Sequence, residues 1–261
     1  MPSVITEVVR TGITVVTLTR PERLNALRLE DLRELTTVLD GVALDEHCRA
    51  VVLTGAGRGF CSGHDLADSS GELTVSSGLA ILEAFSGLTK RVRSLPQPVV
   101  AAVNGPATGA GFALALAADT RIATPSARFS SAFVRLGLSG CECGVSYLLP
   151  KIVGPTLAFE MMLTGRLVDA DEALHRALVA RIVPEGTVVD EAIKIAEVIT
   201  ANSPFGVRMT KEVMWSNLDA PSIESAIALE NRTQMLCATT SDHKEAVRAF
   251  LEHRPGSFSN R

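Results

Sequence analysis

The first part of the chain alternates short β-branched runs with amphipathic segments. Residues 4–9 and 13–19 are rich in β-branched residues and flank a turn at residues 10–12, so they predict a β-hairpin. Leucines between Leu29 and Leu39 then recur at the spacing of one helix face, and residues 49–55 predict a short buried strand. This order of two strands, a helix and a strand begins a layered α/β pattern.

The same pattern recurs further along the chain. It predicts a helix marked by apolar residues from 79 to 92, a buried strand at 98–103, a helix of small residues at 109–119 and a strand at 120–124. From about residue 154 the pattern is mostly helical, apart from a strand at 180–184, and the last candidate helices cover residues 187–201, 204–218, 222–238 and 242–251. We therefore predict an α/β core over residues 1–195 and an all-helical region over residues 196–261, with no low-complexity linker between them.

Composition and charge narrow the classes of function. The 261 residues include 25 Lys and Arg against 29 Asp and Glu, a net charge of −4, and the basic residues are scattered. This argues against a nucleic-acid-binding or electrostatic membrane surface. The longest uncharged run, residues 94–118 before Asp119, is broken by prolines and glycines and does not predict a membrane span. Five cysteines without framework spacing indicate free thiols, and we expect a cytoplasmic protein.

Two glycine-rich loops follow predicted strands. In "VVLTGAGRGFCSGHDL" (51–66) the third glycine of a dinucleotide fingerprint would fall at Phe60, and no amphipathic helix begins there, which disfavours that interpretation and leaves an ordinary tight loop as the alternative. In "AAVNGPATGAGFALALAAD" (101–119) a helix begins near Ala110, and its first N–H groups have no intrahelical acceptor. Together the loops could direct two sources of N–H groups at a carbonyl oxygen that gains negative charge.

These two motifs, with "LTRPERLNAL" (18–27) and "LLPKIVGPTLAFEMMLTGRLVDADEAL" (148–174), resemble the crotonase, or enoyl-CoA hydratase/isomerase, superfamily, whose members bind acyl-CoA thioesters. The resemblance spans nearly the whole chain. It implies an α/β spiral of ββα units and a helical C-terminal region that packs trimers, often as a dimer of trimers. It also implies no cofactor apart from the coenzyme A of the substrate.

The resemblance assigns residues to the site. The oxyanion-hole amides would belong to His64 and Ala110, and the His64 ring could narrow the pocket, hydrogen-bond the thioester oxygen or pair with Glu142. Arg58 would lie near the phosphates of coenzyme A, and the other expected acyl-CoA contacts are Arg23, Leu24, Ala26, Ser62, Asp65, Leu66, Gly109, Phe133 and Leu138. Asp65 also has a structural interpretation, as an acceptor for loop amides.

The departures from the family pattern concern the catalytic carboxylates. Where hydratases of the family carry two glutamates, this chain has Ala113 and Phe133. Hydration needs one group to activate water and one to deliver a proton to the α-carbon, and neither side chain can do so. We expect hydration of a short trans-2-enoyl-CoA to be very slow.

A third carboxylate takes their place in "SGCECGVSYLLP" (139–150). Glu142 matches the position where isomerases and some other members, such as dehalogenases and dihydroxynaphthoyl-CoA synthases, carry an aspartate. In an apolar pocket near Phe133 and Leu138, desolvation should raise its pKa. A single base of this kind suffices for a Δ3/Δ2 double-bond shift. The alternatives are that Glu142 only caps a helix beginning near Gly144, that the protein is a noncatalytic acyl-CoA binder, or that it catalyses atypical hydration, hydrolysis or C–C cleavage.

The cysteines beside Glu142 are two positions apart, which places Cys141 and Cys143 on opposite sides of an extended loop. No partner at ligand spacing accompanies them, so we interpret them as small apolar fillers, like Cys61. Residues 67–85 are expected to form a mobile wall of the acyl pocket, with no firm periodicity until Leu79. Ala177 replaces a family glycine and would be strained if φ is positive there.

Overall fold

The computed structural model describes residues 2–68 and 74–259 of the chain. In these ranges the strands are β1 (Val4–Arg10), β2 (Ile13–Leu18), β3 (Ala50–Gly55), β4 (Val99–Val103), β5 (Pro106–Thr108), β6 (Thr120–Ala123), β7 (Arg128–Ser130), β8 (Val168–Asp169) and β9 (Arg181–Ile182). They form one six-stranded sheet in the order β1-β2-β3-β4-β6-β9 and a smaller sheet in the order β5-β7-β8.

The helices surround these sheets and dominate the C-terminal third. They are α1 (Leu29–Leu44), α2 (Val75–Ser94), α3 (Ala110–Ala117), α4 (Val145–Val153), α5 (Pro155–Thr164), α6 (Ala170–His175), α7 (Val188–Thr200), α8 (Pro204–Asn217), α9 (Ile223–Ala238) and α10 (Ser241–Leu251). Among the described helices, none combines the length and the apolar character that a membrane crossing requires.

Strand direction places the two glycine-rich loops at one edge of the large sheet. The β1–β2 pair is the predicted antiparallel hairpin, whereas β2, β3, β4, β6 and β9 pair in parallel. The loops that follow β3 and β4 therefore leave neighbouring strands at their carboxyl ends, where open α/β sheets commonly form binding sites.

Side-chain alternation along the central strands builds a core on each face of the large sheet. Val51 and Leu53 lie in the larger cluster with α1, α2 and α3, whereas Val52 lies in a second cluster with residues of α7. Both faces of the sheet are buried. This explains why the sequences of β3 and β4 are continuous apolar runs rather than an alternation of apolar and polar residues. The predicted boundary between residues 195 and 196 falls inside α7, whose Ala192 and Ala196 pack in the second cluster. The helices that leave the sheet begin with α8.

A buried polar cluster attaches α8 to the core. The Asp119 carboxylate accepts hydrogen bonds from Val99 N–H at 2.7 Å and from the Trp215 indole at 2.6 Å, and it pairs with Lys211 Nζ at 2.9 Å. Lys211 also donates to the Gln97 carbonyl at 2.9 Å. Burial lowers the pKa of Lys211, and the neighbouring Asp119 opposes this effect. Asp119 is therefore a structural residue that joins the C-terminal helices to the sheet.

The start of α2 corrects one expectation from the sequence. The helix begins at Val75, four positions before the periodicity becomes clear at Leu79, and residues 69–73 of the expected mobile wall lie outside the described ranges. The Thr74 side chain accepts a hydrogen bond from Ser77 N–H, and the Ser77 hydroxyl oxygen accepts one from Thr74 N–H, which makes a capping box without a glutamate. Serine in that position gives a weaker sequence signal than glutamate or glutamine.

Candidate active site

The two glycine-rich loops are joined by backbone hydrogen bonds. Cys61 N–H donates to the Pro106 carbonyl at 3.1 Å, and Thr108 N–H donates to the Cys61 carbonyl at 3.0 Å. The Thr108 hydroxyl adds a bond to the Ser62 carbonyl at 3.0 Å. An added Cβ at Gly111, in the first turn of α3, would overlap the Cys61 carbonyl oxygen. The lack of a side chain at Gly111 is what lets the first turn of α3 approach the preceding loop this closely.

This contact brings the two expected amide donors to one place. A Cβ built on Gly63 would lie 3.1 Å from Ala110 N, so the residue before His64 lies directly against the first residue of α3. As that first residue, Ala110 has an N–H without an acceptor inside the helix and near the positive end of the helix dipole. The geometry therefore supports an oxyanion hole between the residue 63–64 segment and Ala110.

The segment expected to contact coenzyme A lies beside the same loop. Ser62 N–H donates to the Leu24 carbonyl at 2.9 Å, and Leu27 N–H donates to the Gly63 carbonyl at 2.7 Å. Arg23 is exposed next to them, and its carbonyl accepts the Ser62 hydroxyl at 3.2 Å. The structure thus brings together residues 23–26 and 62–66, with Arg58 and Leu66 exposed at the surface and Ala26 buried.

A guanidinium group that the sequence analysis did not single out holds this arrangement. Arg20 pairs with Asp65 at 2.9 Å and with Asp31 of α1 at 3.1 Å, and it donates to the Ala26 carbonyl at 2.8 Å. Burial alone would raise the pKa of Asp65, but the Arg20 hydrogen bond and the Ala67 N–H outweigh it, and the pKa lies below its ordinary value. Asp65 therefore acts as an ionised anchor one residue after His64. The signal for Arg20 was present in "LTRPERLNAL", where it precedes the residues expected to bind coenzyme A.

The His64 side chain packs against α2. Its ring lies 4.8 Å, centroid to centroid, from the ring of Phe85, at an interplanar angle of 55°. Phe85 is buried and lies in the helix that the apolar residues from 79 to 92 predict. The contact holds the His64 ring against α2, on the loop that also carries Gly63.

Glu142 occupies a turn that α2 also supports. The carboxyl group is half-buried, and desolvation raises its pKa, with the Cys143 thiol acting in the opposite direction. The Cys143 Sγ lies 3.8 Å from Glu142 Oε1. The backbone carbonyl of Glu142, rather than its carboxylate, accepts the first N–H of α4 at 2.9 Å, from Val145. The side chain is thus not needed to begin the helix.

The two positions that lack the hydratase carboxylates are both buried. Ala113 is completely buried in α3. Phe133 is buried in a 3-10 turn (Ala132–Leu136), and its ring lies 3.6 Å from a Cβ built on Gly109, the residue before Ala110. Leu138, expected in the same apolar wall, is instead 54% exposed in this chain, although its N–H donates to the Phe133 carbonyl at 3.2 Å. Phe133 therefore supplies an apolar surface where a hydratase would present an acid.

The cysteines flanking Glu142 lie on opposite sides of the loop, as their spacing predicts. Cys141 is exposed and Cys143 is buried. Within the described ranges there is no group of three or more His, Cys, Asp or Glu side chains placed to hold a metal ion. Cys61 is fully buried, and burial raises its pKa to about 12, which fits the apolar filler expected from the sequence.

Comparison with known proteins shows which family this chain belongs to. Residues 9–261 match the model of the enoyl-CoA hydratase/isomerase family. A probable enoyl-CoA hydratase of Mycobacterium bovis is 41% identical, over 98% of this chain and 93% of its own length. The 1,2-epoxyphenylacetyl-CoA isomerase of Escherichia coli is 35% identical, over 97% of both chains. The crystal structure of a probable enoyl-CoA hydratase/isomerase from Mycobacterium abscessus superposes with a TM-score of 0.92 at 39% identity and covers 100% of both chains.

The fold and the two glycine-rich loops define an acyl-CoA enzyme. This chain belongs to the enoyl-CoA hydratase/isomerase family, the crotonase superfamily, as its motifs indicated.

Proposed function

We propose that this enzyme shifts a carbon–carbon double bond in an enoyl-CoA thioester, with Glu142 as both base and acid. The observation that carries the proposal is a half-buried carboxyl group with a raised pKa on the loop before α4, in a chain whose two hydratase positions hold Ala113 and Phe133. Of the family's reactions, a double-bond shift is one that needs a single proton-transfer group.

The mechanism uses each part of the site once. The N–H groups of His64 and Ala110 bind the thioester oxygen and stabilise the negative charge that develops on it. The Glu142 carboxylate removes a proton from C4 of a 2-enoyl thioester, or from C2 of a 3-enoyl thioester, and a dienolate forms. The protonated Glu142 then returns the proton to the other carbon. The reaction is redox-neutral, so it uses no cofactor beyond the coenzyme A that the substrate carries.

Burial of Glu142 fits this exchange of roles. Desolvation destabilises the carboxylate relative to the acid and brings the two forms closer in free energy at neutral pH. A group that must first take up a proton and then release it works best in that condition. The Phe133 ring beside Gly109 keeps an apolar surface next to the oxyanion hole, which disfavours an ordered attacking water.

The E. coli relative is named as an isomerase of an epoxide, so it supports isomerisation of an acyl-CoA thioester in general and not a double-bond shift in particular. Because that relative is named for an aryl-acyl thioester, the assays should include phenylacetyl-CoA derivatives beside straight-chain enoyl-CoA esters. The test is product analysis by liquid chromatography and mass spectrometry after incubation with trans-2- and trans-3-enoyl-CoA esters.

Interconversion of the two double-bond isomers, with 3-hydroxyacyl-CoA absent or formed at trace rates, is the expected result. Hydration at ordinary enzymatic rates, about 1–10³ s⁻¹, would contradict the proposal. Binding of several thioesters without any turnover would instead favour the noncatalytic acyl-CoA binder, and hydrolysis or chain cleavage would be seen directly by mass.

Assembly belongs to the same proposal. The helices α8 to α10 expose large apolar side chains, among them Met214, Ile223, Met235 and Phe250. Burial of such side chains between copies of the chain would support the trimer or dimer of trimers implied by the family resemblance. Light scattering that returned the mass of one chain would contradict it.

The five cysteines are all free thiols, which supports a cytoplasmic location.

A further inference from the structure

Cys143 has an unusual backbone conformation for a buried cysteine. Its φ is +51°, in the left-handed region, and the next residue, Gly144, has φ +81°. Non-glycine residues seldom adopt this region, and when they do the surrounding structure must impose it. The two successive left-handed residues turn the chain sharply between Glu142 and α4, and they place Cys143 inside while Cys141 stays exposed.

The thiol that this turn buries has two neighbours. On one side its Sγ lies 3.8 Å from Glu142 Oε1, within the range of a hydrogen bond to sulfur. The Ser86 side chain of α2 also lies within hydrogen-bonding reach of the thiol. Thr89, one turn further along α2, lies 3.5 Å from a Cβ built on Gly144. The turn is thus held against the same helix whose Phe85 packs on His64.

The thiol can act on Glu142 only as a donor. Burial, and then the neighbouring Glu142 charge, raise the pKa of Cys143 to about 12, so the sulfur keeps its proton through the range in which enzymes work. An S–H group donates weakly, and donation to a carboxylate stabilises the ionised form.

We propose that Cys143 is a positioning residue for Glu142. Its thiol donates to the Glu142 carboxylate, orients it, and partly offsets the cost of holding its charge in a desolvated loop. The inference rests on the proposed role of Glu142 as base and acid, and it adds that the pH range of catalysis depends on the residue at position 143.

Other charged groups on the elements around this loop are engaged elsewhere or exposed. Arg91 pairs with Asp40, Lys151 with Asp219, and Glu160 with Arg166. Arg93 lies over the Trp215 ring, and the His64 ring packs on Phe85. The remaining charged side chains on α2 and the 3-10 turn, all exposed, are Glu83, Lys90 and Arg135. Among the described residues, Cys143 is the titratable group whose contact shifts the Glu142 pKa.

The test measures the titration of Glu142 directly and needs no substrate. In protein labelled with ¹³C at the glutamate carboxyl carbon, the Glu142 resonance is assigned by its loss in Glu142→Gln and followed against pH. In Cys143→Ala the Glu142 pKa should rise by roughly half a unit to one unit, the worth of one hydrogen bond. In Cys143→Ser, which keeps a donor, it should stay at the wild-type value or fall below it. Cys141→Ala, on the exposed side, should leave it unchanged.

The pH profile of substrate α-proton exchange is the second readout, and its acid limb should move with the Glu142 titration in each variant. An unchanged Glu142 pKa in Cys143→Ala, or equal shifts in the alanine and serine variants, would overturn the inference and leave Cys143 as an apolar filler. Circular dichroism confirms that the variants are folded. If no thioester exchanges, the proposed function fails, while the titration still decides the role of Cys143.

Discussion

Gly63 lies against the first residue of α3, so closely that a Cβ on Gly63 would come within 3.1 Å of Ala110 N and 2.9 Å of the Thr108 carbonyl oxygen. Its φ is +93°, which L residues rarely adopt. The positive φ and the close approach of Thr108 and Ala110 therefore both exclude a side chain at this position, and the Ala110 amide is the one proposed to bind the thioester oxygen. The proposed oxyanion hole therefore depends on a glycine at position 63.

Gly63→Ala should consequently lose activity through a displaced amide. We expect a loss of at least 10²-fold in kcat, comparable to the loss of one oxyanion-hole donor. The matched control is Gly186→Ala, which has the same backbone strain at φ +79° but no atom within 4 Å of the new Cβ. Steady-state kinetics should show a large effect in the first variant and near-normal kcat in the second. Equal kcat values in the two would show that strain, not the close approach, matters.

The raised pKa of Glu142 makes a prediction about stability. The window in question lies between the ordinary pKa of a glutamate carboxyl group and the raised pKa of Glu142 in the folded protein. In this window the folded chain keeps a proton that the unfolded chain has lost. The free energy of unfolding therefore falls as pH rises through the window. Glu142→Gln should therefore be more stable than the wild type at pH 8, and the difference should shrink as pH falls toward 4.5.

Urea unfolding of both proteins at the two pH values measures this difference. Glu83→Gln, which removes an exposed carboxylate from α2, is the matched control and should show little effect at either pH. A Glu142→Gln variant that is less stable than the wild type at pH 8 would mean that the carboxylate stabilises the fold, as a helix cap would.

The Asp119 cluster predicts that a substitution of Asp119 lowers the stability of the protein without removing a catalytic group. Asp119→Asn leaves the buried Lys211 charge without its partner, which should cost about 3–5 kcal/mol. Asp219, which pairs with Lys151 at the exposed end of α4, provides the comparison, and Asp219→Asn should have a small effect. Chemical denaturation gives both values. A loss below about 1 kcal/mol for Asp119→Asn would show that the cluster tolerates an unpaired lysine.

Ala177 confirms a conditional prediction from the sequence. The family pattern has a glycine there, and the structure places Ala177 at φ +58°, where a side chain is strained. Ala177→Gly should stabilise the protein by roughly 0.5–1 kcal/mol, since relief of strain exceeds the added entropy of the unfolded chain. Ala180→Gly, at a nearby exposed position without positive φ, should be destabilising. Thermal unfolding that showed the same sign for both would refute this account.

The sequence was enough to predict the main strands and helices, because the leucines of α1 recur at the spacing of one helix face, β3 is a continuous apolar run, and glycines mark the end of β3 and the start of α3. The two loops of the site were predictable for the same reason. The contacts of α2 were not. The Phe85–His64 and Cys143–Glu142 contacts depend on how a helix packs against two distant loops, and no local pattern encodes that packing. From the sequence alone, Cys143 resembles an apolar filler. A left-handed backbone conformation is readily predicted only at glycine or asparagine, so the residue type at position 143 does not indicate it.

The central claim, that Glu142 is the base, is tested most directly by exchange of substrate α-protons in deuterated water, followed by mass spectrometry across a panel of acyl- and enoyl-CoA thioesters. Wild-type protein should incorporate deuterium into at least one thioester, and Glu142→Gln should slow this exchange by about 10²–10⁴-fold, the usual contribution of a general base. Exchange at the wild-type rate in Glu142→Gln would contradict the account and assign the chemistry to another residue.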